Sequence, residues 1–174
     1  MWAAAKKWAK WGLMGCGGLF VLAMCSVALS PKSDQPGARA ASAPAPEQIA
    51  AHIAVIDQAR QACSARVQVL GQVMGEGDAV RAIGLARNAR SACDEGFSAV
   101  YDLKPARGAP AAWADTLTDC QTALRLWSDM TKAAEALAEN ASSPTAMHEA
   151  QQAVTAATRA DARCAEQAAA LSAS

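Results

Sequence analysis

The sequence predicts an all-α protein: an N-terminal membrane segment followed by an up-and-down four-helix bundle stapled by two disulfides. Beyond residue 46, apolar side chains recur at steps of three, four or seven residues through four successive stretches, the pattern of one buried helix face. Each stretch carries one cysteine in that face, Cys63, Cys93, Cys120 and Cys164, and helix breakers cluster midway between consecutive cysteines, near residues 78, 106 and 142. A chain folded back at those three breaks brings the four sulfurs to one height.

The first helix is expected over 47–74, with Ile49, Ile53, Ile56, Cys63, Val67, Leu70 and Met74 in its seam. Gly75-Glu76-Gly77-Asp78 ends it, glycine suiting a C-terminal cap and Asp78 the N-cap of the next helix. The second, 79–104, repeats the spacing with Ile83, Ala86, Cys93, Phe97 and Val100. Pro105, Gly108 and Pro110 close it, since the residue before a proline is pushed out of helical geometry. The third, 111–139, has the most pronounced stripe, Trp113, Leu117, Cys120, Leu124, Trp127 and Ala134, with Asp115, Asp119, Asp129 and Lys132 off it. Ser143 and Pro144 then suit an N-cap and a first helical turn. The fourth, 145–171, offers Met147, Val154, Ala157, Cys164, Ala168 and Leu171, a seam with few large side chains that should depend on Cys164 for attachment.

Composition limits the function. Sixteen basic residues balance sixteen acidic ones, so no net field favours nucleic acid, and none is expected as a partner. The hydrophobic share of 52% is largely alanine, which favours helix but contributes little apolar area when buried. A core of that kind gains from covalent staples.

The first 29 residues read as a transmembrane anchor or a signal peptide. Residues 11–31 carry no formal charge and match the ~20 residues needed to cross a bilayer core. Trp8 and Trp11 suit the interfacial belt, Leu19, Phe20, Val21 and Leu22 the apolar centre, and Lys6, Lys7 and Lys10 hold their flank in the cytoplasm. The expected location is therefore an inner membrane, single-pass, with the C-terminal domain in the periplasm. Cleavage near Ala28, after the small residues of Ser26-Val27-Ala28, gives a secreted periplasmic alternative. Lipidation at Cys16 or Cys25 fits less well, because an apolar run does not precede Cys16 and bulky Met24 adjoins Cys25. Residues 30–46, rich in Pro, Ala and Ser, read as a linker, and 47–174 as the extracytoplasmic domain.

Outside the cytoplasm four cysteines pair as two disulfides. Only adjacent helices approach closely enough, which leaves Cys63 with Cys93 and Cys120 with Cys164, or Cys93 with Cys120 and Cys63 with Cys164. The first is preferred, because each bridge then closes a sequence-local hairpin. A tetrathiolate metal site is the competing reading of the same cysteines, weakened by the lack of any Cys-x-x-Cys pair.

Other residues favour structural roles. His52 and His148 fall at opposite ends of the bundle, and no metal or other cofactor is expected. Arg60, Arg90 and Asp161 each precede a cysteine by three residues, which puts them at the edge of the seam with a buried Arg–Asp pair as the sharper possibility. Ala59-Arg60-Gln61-Ala62-Cys63 is echoed by Ala89-Arg90-Ser91-Ala92-Cys93. Asn140-Ala141-Ser142 matches a glycosylation acceptor but reads as a capping loop. No phosphate loop, dinucleotide fingerprint, nucleophile elbow or metalloprotease helix is present. The expectation is not an enzyme but a binding module, an accessory or scaffold subunit of an envelope-associated assembly with a protein partner. A periplasmic inhibitor or immunity-type protein, or a thiolate metal-binding protein, are the alternatives.

Overall fold

Four helices follow one another in the computed structural model, which describes residues 45–104 and 108–172: α1 (Ala45–Glu76), α2 (Ala79–Tyr101), α3 (Ala111–Glu139) and α4 (Pro144–Ser172). The expected membrane residues Trp8, Trp11, Leu19, Phe20, Val21 and Leu22 lie outside the described residues, as does the cleavage position near Ala28. No helix among the described residues is long and apolar enough to cross a membrane.

Local chemistry sets the helix ends. Gly77, at φ 78°, turns the chain out of α1 in a left-handed conformation that favours glycine, and the Asp78 carboxylate accepts from the Arg81 N–H at 3.0 Å to cap α2. Ser143 Oγ likewise accepts from the Ala146 N–H at 3.2 Å, and Pro144 occupies the first position of α4, where its missing N–H costs nothing. Helix α1 starts at Ala45, so Ala45 and Pro46, assigned from sequence to the linker, form its first turn. Helix α2 stops at Tyr101, three residues short of Lys104, with the Asp102 N–H bonded back to Ser98 and Val100 carbonyls.

Consecutive helices pack along their lengths, whereas α1 meets α3 and α4 only locally. A four-helix bundle results in which α2 is flanked on both sides and α4 chiefly on one. The large buried side chains come from α1 (Ile49, Ile56, Leu70) and α3 (Trp113, Leu117, Leu124). Helix α2 instead contributes Ala82, Ala86, Ala89, Cys93, Gly96 and Val100, and small residues let its backbone approach its neighbours closely. At Gly96 an added Cβ would stand 3.2 Å from Ala59 Cβ, 3.3 Å from the Ala59 carbonyl oxygen and 3.3 Å from Leu124 Cδ2.

The seams differ from the sequence expectation in two places. Val154, expected in the core, is 44% exposed, because the stripe α4 buries consists of Ala150, Ala157, Ala160, Cys164 and Ala168. Conversely, Ala59, Val73, Ala89, Ala123, Met130 and Leu137 are buried without having been expected there.

The four sulfurs share one core cluster but not one height. His52 and Trp113, on the parallel helices α1 and α3, stack with ring centroids 5.5 Å apart. His52 precedes Cys63 by eleven residues and Trp113 precedes Cys120 by seven, so at ~1.5 Å per residue the second disulfide lies about 6 Å nearer the α1 N-terminal end. The Arg60–Asp161 contact requires an offset of the same sign. The connection between α2 and α3 is longer than the other two.

Candidate functional site

The disulfides join Cys63 to Cys93 and Cys120 to Cys164, with Cα–Cα separations of 4.5 and 4.7 Å. Each bridge therefore closes one hairpin, α1–α2 or α3–α4. All four cysteines are fully buried, and as disulfides they have no thiolate to offer a metal. Among the described residues no group of three or more His, Cys, Asp or Glu side chains is arranged to hold a metal ion.

The sequence echo has a spatial counterpart. Ala59 and Ala89 are both buried, Cys63 and Cys93 are bonded to each other, and Arg60 and Arg90 each reach across to the second hairpin. Two copies of one motif thus face each other across the first disulfide in opposite directions, an approximate two-fold relation.

Arg60 bonds Asp161 of α4 through both of its oxygens, Nε to Oδ1 at 2.8 Å and Nη2 to Oδ2 at 3.0 Å, with side chains 20% and 30% exposed. This fork-to-fork pair is the main polar tie between α1 and α4. The hydrogen bond from Asp161 raises the guanidinium pKa further above its ordinary value, against the opposing effect of burial, and Asp57 at 3.7 Å adds to it. Arg60 and Asp161 thus pair with each other, but at the edge of the seam and only partly buried.

Arg90 finds Glu135 of α3 instead, and Arg87, one turn earlier, bonds the other carboxylate oxygen at 2.7 Å. The Arg87 hydrogen bond, seconded by Arg90, holds the Glu135 carboxyl below the usual range although partial burial pushes the other way. Sequence reading misses Glu135 entirely. Its signal would have been two arginines spaced for one helix face, which names no partner on another helix. Further along the α3–α4 seam, Gln167 donates to Asp119 at 2.7 Å.

No family model, curated protein or solved structure matches this chain.

At the end where α1 begins and α4 finishes, Pro46, Ile49, Ala50, Ile53, Pro110 and Leu171, together with Gly108 and Ser172, line a cleft of about 580 Å³. Its walls are predominantly apolar. Gly108 takes φ 77°, a left-handed turn that brings the α2–α3 connection to this end. His52 lies between Ile49 and Ile53 in sequence and is covered by Trp113; neither His52 Nδ1 nor Trp113 Nε1, both buried, makes a hydrogen bond. His148 sits on the exposed first part of α4, bonded to Gln152 at 2.8 Å. Trp113 is core and Trp127 half-buried. Asn140 caps α3 through its backbone N–H to the Ala136 carbonyl.

Proposed function

We propose that the helical region is a non-catalytic binding module acting outside the cytoplasm, as an accessory or scaffold subunit of an envelope-associated assembly. The observation that carries this reading is the pair of fully buried disulfides, each joining neighbouring helices, in a chain whose N-terminus reads as a membrane segment. Such bonds persist in an oxidising compartment. The ionisable groups with the strongest perturbations, Arg60, Arg87 and Glu135, are all engaged in ion pairs between helices, a structural use of charge rather than a poised acid or base. Binding then falls to the surface, and the apolar cleft near Ile53 is a concave feature that a protein partner would enter.

The anchored arrangement and the soluble inhibitor or immunity-type arrangement differ in their mature N-terminus. N-terminal sequencing of the chain recovered from membranes yields Met1 for the anchored subunit, whereas a soluble chain starting near Leu29 supports the inhibitor. Cross-linking in intact cells, followed by affinity capture from envelope extracts, tests the binding role. Capture of the same partner by wild type and not by Ile53→Glu assigns the cleft, and a partner retained by that variant moves the contact elsewhere on the bundle.

A further inference from the structure

We infer that α4 is a redox-released helix: the Cys120–Cys164 bond is what keeps it docked, and its reduction frees α4 while the other three helices stay folded. The side chains that α4 buries are Ala150, Ala157, Ala160, Cys164 and Ala168, with no leucine, isoleucine, valine or aromatic among them. Helix α1, by contrast, buries Ile49, Ile56, Leu70 and Val73. Helix α2 is also rich in small residues, but it is gripped by α1 on one side and α3 on the other, whereas α4 packs along α3 and touches α1 only locally. Partly buried Leu171 and Ala153 add apolar contact at the edge of the core, and the polar ties of α4 to its neighbours are partly wet: Asp161 to Arg60, with the aspartate 30% exposed, and Gln167 to Asp119. Alanine methyls remove little apolar surface from water, so they offset little of the entropy lost when a helix of this length is ordered.

The two disulfides thus have unequal roles despite equal burial. Loss of Cys63–Cys93 leaves α1 and α2 held by the large α1 side chains and by α3. Loss of Cys120–Cys164 removes the covalent tie of α4 and leaves it held by alanine packing and partly exposed polar contacts, so that its departure uncovers the α3 surface around Cys120. The reductant is a dithiol. Its thiolate attacks one sulfur of the bridge to form a mixed disulfide as the other cysteine leaves as a thiolate. The second thiol of the reductant then attacks the reductant's own sulfur in that mixed disulfide and expels the remaining protein cysteine, so that the protein ends with two thiols and the reductant, having given up two electrons and two protons, with an intramolecular disulfide. Because both sulfurs are fully buried, attack waits on local opening of α4.

The test is hydrogen exchange by mass spectrometry on the full chain, comparing wild type, Cys120→Ala/Cys164→Ala and Cys63→Ala/Cys93→Ala. Removing the bridge that closes the 44-residue separation should speed exchange in peptides from α4 by about a thousandfold, the chain-entropy value, leaving α1 and α2 within tenfold of wild type. The Cys63→Ala/Cys93→Ala protein should keep wild-type protection in α4. Partial reduction of wild type with dithiothreitol followed by alkylation supplies a measurement free of mutations, and Cys120 and Cys164 should be labelled before Cys63 and Cys93. Equal protection of α4 in all three proteins, acceleration of all four helices together, or earlier labelling of Cys63 and Cys93 would each overturn the inference.

Discussion

Replacing Gly96 by alanine tests the close packing of α1, α2 and α3 more sharply than any large-to-small change. In an unobstructed helix interior the substitution stabilises by about 0.4 to 1 kcal/mol, by raising helix propensity and restricting the unfolded chain. Gly84, in the same helix, has nothing within 4 Å of an added Cβ, so Gly84→Ala should realise that gain. At Gly96 the new methyl meets Ala59 Cβ at 3.2 Å, the Ala59 carbonyl oxygen at 3.3 Å and Leu124 Cδ2 at 3.3 Å. Optimal carbon–carbon separation is roughly 3.5 to 4.0 Å, so each neighbour must yield by some tenths of an ångström. Leu124 can rotate its terminal methyl, but Ala59 offers backbone and Cβ only. The α1–α2 pair cannot part easily either, because one turn away the disulfide fixes the Cα atoms of Cys63 and Cys93 at 4.5 Å. Overpacking of this kind costs about 1 to 3 kcal/mol, which outweighs the propensity gain. Gly96→Ala should therefore lose about 1 kcal/mol and stand about 2 kcal/mol below Gly84→Ala in urea unfolding followed by circular dichroism without reductant. Moving the methyl, in Ala59→Gly/Gly96→Ala, should restore more than the single effects add up to. A Gly96→Ala protein as stable as Gly84→Ala, or a double variant with no coupling, would refute the close approach of α1 and α2.

Other consequences are accessible to the same measurements. A double-mutant cycle with Arg60→Met and Asp161→Leu should return a coupling of about 1 kcal/mol, a value for a half-buried bidentate pair after allowance for solvent screening; zero coupling would mean the two side chains are not engaged. Leu124→Ala, at a fully buried position between α2 and α3, should cost about 2 to 5 kcal/mol; a loss below 1 kcal/mol would contradict its burial. Glu135 has a folded-state pKa below its unfolded value, so its contribution is present above the unfolded carboxylate range near ~4.3 and disappears as pH falls through the lower, folded value. The stability difference between wild type and Glu135→Gln, measured by urea titration from pH 7 downward, should accordingly shrink in acid, and a difference independent of pH would exclude the ion pair as its origin.

The four helices are legible in the sequence because their breaks are chemical: Gly77 for a positive φ, Asp78 and Ser143 for caps, and Pro144 for a first turn. The cysteine pairing is nearly legible, since hairpin-local bridges need only that consecutive helices pack antiparallel. What escapes is much of what is written in alanine, although Ala86, Ala134, Ala157 and Ala168 fall in the expected seams and are buried. Ala59, Ala89 and Ala160 carry little hydropathy contrast, so a stripe drawn through larger residues selects Val154 for the core of α4 where alanines occupy it. The offset of the disulfides escapes for a different reason, because it depends on how far one hairpin is shifted against the other, and spacing within helices contains no record of that. Arg60 and Asp161 are visible as seam-edge positions, but only a third dimension matches them to each other. Glu135 is invisible until α2 and α3 are brought together.

The antiparallel arrangement leaves Ala45 and Ser172 at the same end of the bundle, the end that holds the cleft. A pull applied between those two points would not stretch the whole chain. The stretch enclosed by Cys63–Cys93 and that enclosed by Cys120–Cys164 are shielded by their covalent closures, so tension could extend only the outer ends of α1 and α4 and the segment between Cys93 and Cys120. The molecule is in effect a short tether with two knots of fixed size. Its extension under force is capped by sulfur chemistry rather than by helix stability.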